Sequence, residues 1–228
     1  VGGDRTLSEV LNGVVGTKNK IGIIPAGSGN DFYRTVKELG KTEIESDVGV
    51  VNGKYFLNIA CVGIDAEVAN NVPLMKKKNI KVKNLYTASI LYTFTHFKFK
   101  EIFFKSKEIE ERNSFTILSI CNGRYYGGGY NIAPGASLED GTFEVYYTNK
   151  QKMLTIINLL LKLKKGKLEE DKRIKHFKTN HIKVESKETI RFNVDGEKIE
   201  GTQFEIKIIP KAVTIYHNEK LEKSFLSV

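Results

Sequence analysis

Two short glycine-rich segments within the first 32 residues constrain this chain more than any other feature. They are Gly2-Gly3-Asp4-Arg5-Thr6 and Pro25-Ala26-Gly27-Ser28-Gly29-Asn30-Asp31-Phe32. Each stands just ahead of a helical pattern. After the first, Thr6 and Glu9 have capping-box spacing, and Leu7, Val10, Leu11 and Val14 recur at helical intervals before Gly16. After the second, Asn30 is placed to cap a helix carrying Phe32, Val36 and Leu39, with Gly40 past its end. Ile21-Gly22-Ile23-Ile24 between them reads as a strand. Strand, loop and helix in succession predict a small open α/β unit. Glycine lets backbone approach a phosphate with no Cβ in the way, and the free N–H groups of a helix start attract anions. One such loop is most often a plain turn. Two so close together, each opening a helix, point to phosphate binding.

Beyond Asp47 the texture changes. Asn52-Gly53 between apolar runs is the signal of a hairpin with a type I′ turn. Strand-like runs follow at 102–109, 114–121, 142–147, 181–185, 189–194 and 204–209, and only two helices are expected, near 85–97 and 153–164. The expected organisation is an α/β unit over 1–47, a mostly antiparallel β domain over 48–212, and a stretch at 213–228 that returns to the first unit.

The chain has 36 Lys and Arg against 27 Asp and Glu, a formal charge of +9. That excess favours nucleic acid, anionic lipid or phosphorylated ligands without choosing among them. No nucleic-acid-binding motif or basic-aromatic pattern accompanies it, so nucleic acid is not expected. Cys61 and Cys121 have no CxxC or histidine partners, which argues against zinc and for buried, reduced thiols. The longest apolar stretch, 153–163, is interrupted by Thr155, Asn158 and Lys162 and falls short of the ~18 residues of a membrane span. The runs Lys76–Lys83 and Lys162–Lys167 read by default as solvated faces. Asp65 and Glu67 read as exposed positions near a strand end.

Gly-Gly-Asp-x-Thr followed by Pro-Ala-Gly-Ser-Gly-Asn-Asp-Phe-x-Arg resembles the catalytic domain of diacylglycerol kinases and their bacterial lipid-kinase relatives. The resemblance continues through Asn58–Asp65, Gly127–Pro134, Asp140-Gly141-Thr142 and Asp195-Gly196-Glu197, in the family's order over nearly the whole chain. It implies a small NAD-kinase-like α/β domain followed by a mostly antiparallel β-sandwich, with the active site in the cleft between. It also implies an ATP-dependent kinase that uses Mg²⁺ and acts on a lipid hydroxyl, with diacylglycerol as the default substrate. By that likeness Gly2, Gly3, Asp4 and Thr6 hold the ATP phosphates, and Ser28, Asn30 and Asp31 lie beside the nucleotide. Glu197 matches the proton acceptor, and Asp47 matches an aspartate of the metal and water network. Asp140, with Ser137 and Thr142 giving backbone carbonyls, matches a second magnesium site in the β domain.

Buried, reduced thiols suit a cytoplasmic enzyme, and the basic excess together with an insoluble substrate leads to the expectation of a peripheral place at the inner face of the membrane, with anionic lipid as a partner. A homodimer stays open. Lys76, Lys77, Lys78, Lys81 and Lys83 are the lysines expected at the membrane. The family's N-terminal α/β stretch is expected to be missing, and 39–47 is short. Arg5 stands where the family has glycine. A left-handed backbone there would cost a side chain about 1–2 kcal/mol, which keeps open a catalytically weak relative that binds nucleotide or lipid. An NAD kinase, which shares the Gly-Gly-Asp loop, is the lesser alternative.

Overall fold

The computed structural model describes residues 1–77 and 85–218. Its first elements are α1 (Asp4–Val14), β1 (Lys20–Gly22), α2 (Asp31–Leu39), β2 (Glu43–Val51), β3 (Lys54–Phe56) and β4 (Ile59–Gly63). Then come α3 (Ile64–Lys77), α4 (Leu85–His96), β5 (Glu101–Ser106), β6 (Glu110–Cys121), β7 (Tyr125–Tyr126) and β8 (Tyr130–Asn131). The last are β9 (Phe143–Asn149), α5 (Met153–Lys164), β10 (Lys175–Thr179), β11 (His181–Val194) and β12 (Glu197–Tyr216).

Eight strands run in the order β10-β9-β6-β4-β11-β12-β2-β3. Their pairings are all antiparallel, while β1 joins β12 in parallel. Strand β6 pairs with β4 through Ile117–Cys121 and with β5 through Glu110–Ser114. Strand β11 likewise pairs with β4 through Phe192–Val194 and with β5 through Ile182–Glu185. The sheet therefore closes a circuit, β6-β4-β11-β5, around a core that includes Phe56, Phe104, Phe115, Phe143, Tyr147, Phe192 and Phe204. Alternation along the strands sends these rings inward and the charged residues out. A second apolar cluster joins the N-terminal elements to the sheet: Leu11, Phe32 and Val36 from α1 and α2 meet Ile44 and Val48 of β2 and Ile215 of β12. The end of β12 reaches that unit directly, since Thr214–Tyr216 run beside Lys20–Gly22.

Turn chemistry was legible in the sequence. Asn52 and Gly53 both have positive φ, 48° and 86°, and β2 and β3 close with Val51 opposite Lys54, as a type I′ turn requires. Helix α2 ends on Gly40 at φ 63°. Other local expectations fail for identifiable reasons. The capping box at Thr6 is not made. Helix α1 begins at Asp4, with Gly3 as its N-cap and no side-chain cap. Asn30 precedes α2 in a left-handed conformation, and its side chain bonds back to Gly27 instead of capping. Helix α3 adds to the two helices expected beyond Asp47, and it carries Pro73 in its interior. The runs at 181–185 and 189–194 are one strand, with a register shift against β12 between Glu185 and Ile190.

Asp65 overturns its expected exposure. It is buried in the first turn of α3, where Ser119 Oγ donates to Oδ2 at 2.7 Å and the Ala66 N–H donates to Oδ1 at 2.9 Å. Glu67 is largely covered and pairs with Arg191 at 3.4 Å. Burial pushes the Asp65 carboxyl up to about 6 from its ordinary 3.8, against the hydrogen bonds it accepts. The folded chain thus holds this proton longer than the unfolded one. Stability attributable to Asp65 falls as pH rises from about 4 to 6, and the penalty is complete above that. Asp65→Asn, which keeps the shape and removes the charge, should therefore gain on the parent across that window. The size is ~2–3 kcal/mol of difference between pH 4 and pH 7. Urea unfolding of both proteins at each pH checks it, and parallel stability–pH curves would disprove it.

Candidate active site

The two glycine loops lie against each other. The Gly2 N–H donates to Ile24 O at 3.1 Å and the Ala26 N–H to Gly2 O at 2.9 Å, a parallel bridge between Gly2 and Pro25. Farther in, the backbones of Gly3 and Gly27 pack so closely that a Cβ on Gly27 would stand 2.5 Å from Gly3 Cα. No other residue fits this contact, which explains glycine at both places without invoking turns. The free N–H groups at the start of α1 open beside a small cavity of ≈ 80 Å³ that touches Gly2, Gly3, Asp4, Thr6 and Asn30.

Asp4 then ties the loops to α2. Its Oδ2 accepts the Asp31 N–H and its Oδ1 the Phe32 N–H, both at 3.0 Å. A carboxylate from another helix thus satisfies donors at the positive end of α2. Asp31 repeats the device across the molecule. Its oxygens accept the N–H groups of Gly128 at 2.8 Å and Gly129 at 2.7 Å, in the β7–β8 hairpin. Burial raises the Asp31 carboxyl above its ordinary value; the Gly128 amide opposes this, and the nearby Asp4 charge adds to it.

Asp195 completes this acidic group from the turn between β11 and β12. Asp195 and Gly196 have φ of 46° and 86°, so the motif is a hairpin turn as well as a carboxylate site. The Leu57, Asn58 and Ile59 N–H groups donate to the Asp195 carboxyl at 2.7, 3.1 and 2.9 Å. Although the residue as a whole is only half-buried, its carboxyl is enclosed by these amides. Burial pushes it up to about 6, and the Asp4 charge contributes in the same sense. Glu197 follows at the start of β12, half-buried and ion-paired with Lys54 of β3. Lys54 carries no signal in the sequence beyond following the Asn52-Gly53 turn; only the fold shows that it holds Glu197.

The remaining expected residues divide. Thr6 is exposed in the first turn of α1, and Ser28 is exposed in the second loop. Arg5 is helical, not left-handed, and its Nε reaches Glu9 at 3.2 Å along the helix surface. The glycine it replaces is therefore not needed here for conformation. Asp47 is not with the acidic group. It is fully buried, its Oδ2 accepting the Gly141 N–H at 2.6 Å and its Oδ1 the Lys211 N–H at 2.8 Å. Burial raises its carboxyl, the Lys211 and Gly141 amides oppose that, and the like charges it feels belong to Asp140 and Glu139. Its place is a brace between β2, the Asp140-Gly141 turn and the bulge of β12, where Lys211 has φ 50°.

At the expected second magnesium site, Asp140 Oδ1 accepts the Thr142 N–H at 3.1 Å and Oδ2 faces Lys178 Nζ at 3.2 Å. Ser137 Oγ accepts the Glu139 N–H at 3.3 Å. Lys178 also meets the buried Glu144 at 3.0 Å, and these partners, Glu144 first, raise its pKa. Besides the Asp140 carboxylate the expected ligands are the Ser137 and Thr142 backbone carbonyls, and the Lys178 ammonium stands at the Asp140 oxygen that a magnesium would take, so the cation would have to displace it. Mg²⁺ should accordingly leave the melting temperature of the parent nearly unchanged. Lys178→Met should make it rise with Mg²⁺, by ~2–4 °C per kcal/mol of binding, and Asp140→Asn in that background should abolish the rise. Calorimetry over a Mg²⁺ series decides; a strong Mg²⁺ response in the parent overturns the assignment.

Comparison with known proteins identifies the chain's family. The family model for the diacylglycerol kinase catalytic domain matches residues 1–61, and that for the YegS C-terminal NAD kinase beta sandwich-like domain matches residues 58–217. The chain is 29% identical to the diacylglycerol kinase of Bacillus subtilis (strain 168) over 211 residues, 86% of this chain and 69% of that protein. It is 32% identical over 231 residues, 94% of this chain and 74% of the relative, to a Staphylococcus epidermidis protein named "Putative lipid kinase". A crystal structure titled "a putative diacylglycerol kinase from Bacillus anthracis str. Sterne" superposes with a TM-score of 0.74 at 23% identity, covering 96% of this chain and 75% of that one. The antiparallel sheet closed over an aromatic core is that β-sandwich, and the amides at 57–59 that enclose Asp195 fall where the two matches meet. The chain belongs to the family of diacylglycerol kinases and YegS-like lipid kinases.

Proposed function

We propose that this chain transfers the γ-phosphoryl group of ATP to a lipid hydroxyl, with diacylglycerol to phosphatidate as the default reaction. One observation carries the reading. The close-packed Gly3–Gly27 cradle at the start of α1 stands beside Asp4 and Asp31, and Glu197 is held by Lys54 of β3, the strand whose Tyr55 N–H donates to Asn12 of α1 at 3.2 Å. A phosphate-accepting backbone and a carboxylate able to take a hydroxyl proton are what phosphoryl transfer asks of a protein.

The chain's own groups divide the work. The amides of Gly2, Gly3 and the first turn of α1 receive phosphate oxygens. Asn30 fixes the second loop by its two bonds to Gly27, at 3.0 and 2.8 Å. Glu197, positioned by Lys54, takes the proton from the attacking hydroxyl. Asp4 and Asp31 each spend two lone pairs on backbone amides and keep others for a cation. Among the described residues no cluster of three or more His, Cys, Asp or Glu could cage a metal. A magnesium here would be held by these carboxylates together with phosphate and water oxygens, the usual manner for that ion, and would neutralise charge on the transferred group.

The test is to incubate the full protein with γ-labelled ATP, Mg²⁺ and total membrane lipid, then identify the labelled product. Labelled phosphatidate is expected. Label on NAD instead of lipid, when NAD is supplied, would replace the reading with an NAD kinase. No label on either would leave a nucleotide- or lipid-binding relative.

A further inference from the structure

Among the described residues six large apolar side chains stand exposed, and four of them lie on α5: Met153 at 41%, Leu154 at 82%, Ile157 at 41% and Leu161 at 55%. At 3.6 residues per turn these four share one side of the helix. The opposite side, with Ile156, Leu159 and Leu163, is buried. The helix is therefore apolar on both faces, which a surface helix of a globular domain ordinarily is not. Helix α5 contains no acidic residue, and Lys150 and Lys152 precede it while Lys164 and Lys165 follow the apolar row. Lys150 lies over the Phe99 ring at 5.1 Å. Lys152, Lys164 and Lys165 meet no acidic partner among the described residues. The acidic groups just beyond are engaged elsewhere: Glu169 with Tyr146, Glu170 with Lys167, and Asp171 with Lys162 and Arg173.

We propose that the outer face of α5 is a docking surface for an anionic lipid bilayer. An apolar row with cations at both ends matches a helix lying in the plane of an interface, its hydrocarbon in the headgroup–acyl boundary and its lysines at lipid phosphates. A second copy of the chain fits worse. Any two-fold pairing along α5, parallel or antiparallel, brings lysine against lysine, and four side chains on one helix fall short of the ~1,200–2,000 Å² that a stable dimer buries. The face is also well placed. Leu159 and Leu163 pack in one cluster with Ile59 and Cys61 of β4, and the Ile59 N–H holds Asp195. Ile59 thus links the inner face of α5 to the Asp195 turn. Between α5 and α3 a small apolar cavity of ≈ 40 Å³ is lined by Ile64, Val68, Ile156 and Leu160. The lysines expected at the membrane from the sequence mostly fall outside the described residues. Lys78, Lys81 and Lys83 lie outside the described residues, as does the Lys76 side chain, and Lys77 ends α3.

The proposal rests on the lipid-kinase reading for its purpose, but its measurement is separate. The full chain is sedimented with vesicles of phosphatidylcholine alone or mixed with phosphatidylglycerol. Binding is expected only to the mixed vesicles and should weaken with salt. The double variant Leu154→Gln/Leu161→Gln and the triple variant Lys152→Gln/Lys164→Gln/Lys165→Gln should each bind ~10-fold or more weakly. Both should keep the parent's melting temperature and its turnover on a short-chain, water-soluble diacylglycerol. Absence of parent binding, or equal binding by both variants, overturns the docking surface while soluble turnover still stands for the kinase. A parent dimer that the Leu double variant dissociates, with vesicle binding unchanged, overturns it in favour of a second copy. Loss of soluble turnover in the parent, with vesicle binding intact, fails the kinase reading alone and upholds the docking surface.

Discussion

Replacing Glu197 with Gln is expected to lower turnover by about 10²–10⁴-fold while leaving nucleotide affinity nearly unchanged. The side chain keeps its size, its half-buried position at the start of β12 and a hydrogen bond with Lys54, and loses only its ability to accept a proton. The loss should appear equally in kcat and kcat/KM, the pattern of an interaction made only in the transition state. Steady-state kinetics with a water-soluble diacylglycerol supply both parameters, and a nucleotide-binding titration supplies the third. Turnover within threefold of the parent would remove Glu197 from the reaction. A matched loss of nucleotide affinity would instead make it a binding residue. Asp195, two residues away, is the necessary contrast. Its carboxyl is committed to three backbone amides, so it builds the loop at 57–59 and leaves proton transfer to Glu197.

The glycine loops could be read from the sequence because their requirement is local: no Cβ can be accommodated, and the residue type records this. The type I′ turns at Asn52-Gly53 and Asp195-Gly196 are legible for the same reason, since positive φ selects their residues. What each carboxylate does was not legible. Asp4, Asp31, Asp47 and Asp195 all look like aspartates within two residues of a glycine, and all four cap backbone amides in segments remote in sequence. The partners are Asp31 and Phe32 for Asp4, Gly128 and Gly129 for Asp31, Gly141 and Lys211 for Asp47, and residues 57–59 for Asp195. Only the topology separates Asp47, which braces a bulge, from the group around the cradle. Asp65 and Lys178 were misread or overlooked for a related reason. A short charged stretch beside a strand carries no mark of whether its side chains turn inward, and the first turn of α3 carries Asp65 in against Ser119 of β6. Helix α5 shows the converse: its apolar run is long enough for a helix and too short for a span, and only the packing shows that half of it faces out.

Gly27→Ala is expected to lower kcat/KM by about 10²-fold, with the loss mainly in KM for the nucleotide. The added methyl would stand 2.5 Å from Gly3 Cα and 2.8 Å from Asn30 Oδ1. The first of these is backbone, which cannot rotate away as a side-chain tip would. The second is the acceptor of the Gly27 N–H, so relief in that direction breaks the bond that fixes the loop. The loops must therefore part, and a displacement of order 1 Å at a phosphate-binding backbone is enough for a loss of that size. Because Gly3 is also the N-cap of α1, the same movement shifts the amides that receive the phosphates. Gly13→Ala is the control, since a Cβ there meets nothing within 4 Å although it lies on α1, the helix that opens at the cradle. If the cradle binds nucleotide, Gly13→Ala should match the parent and Gly27→Ala should not, with both chains folded by circular dichroism. Equal nucleotide KM in the two variants would show that the close contact of Gly3 and Gly27 serves the fold and not the nucleotide.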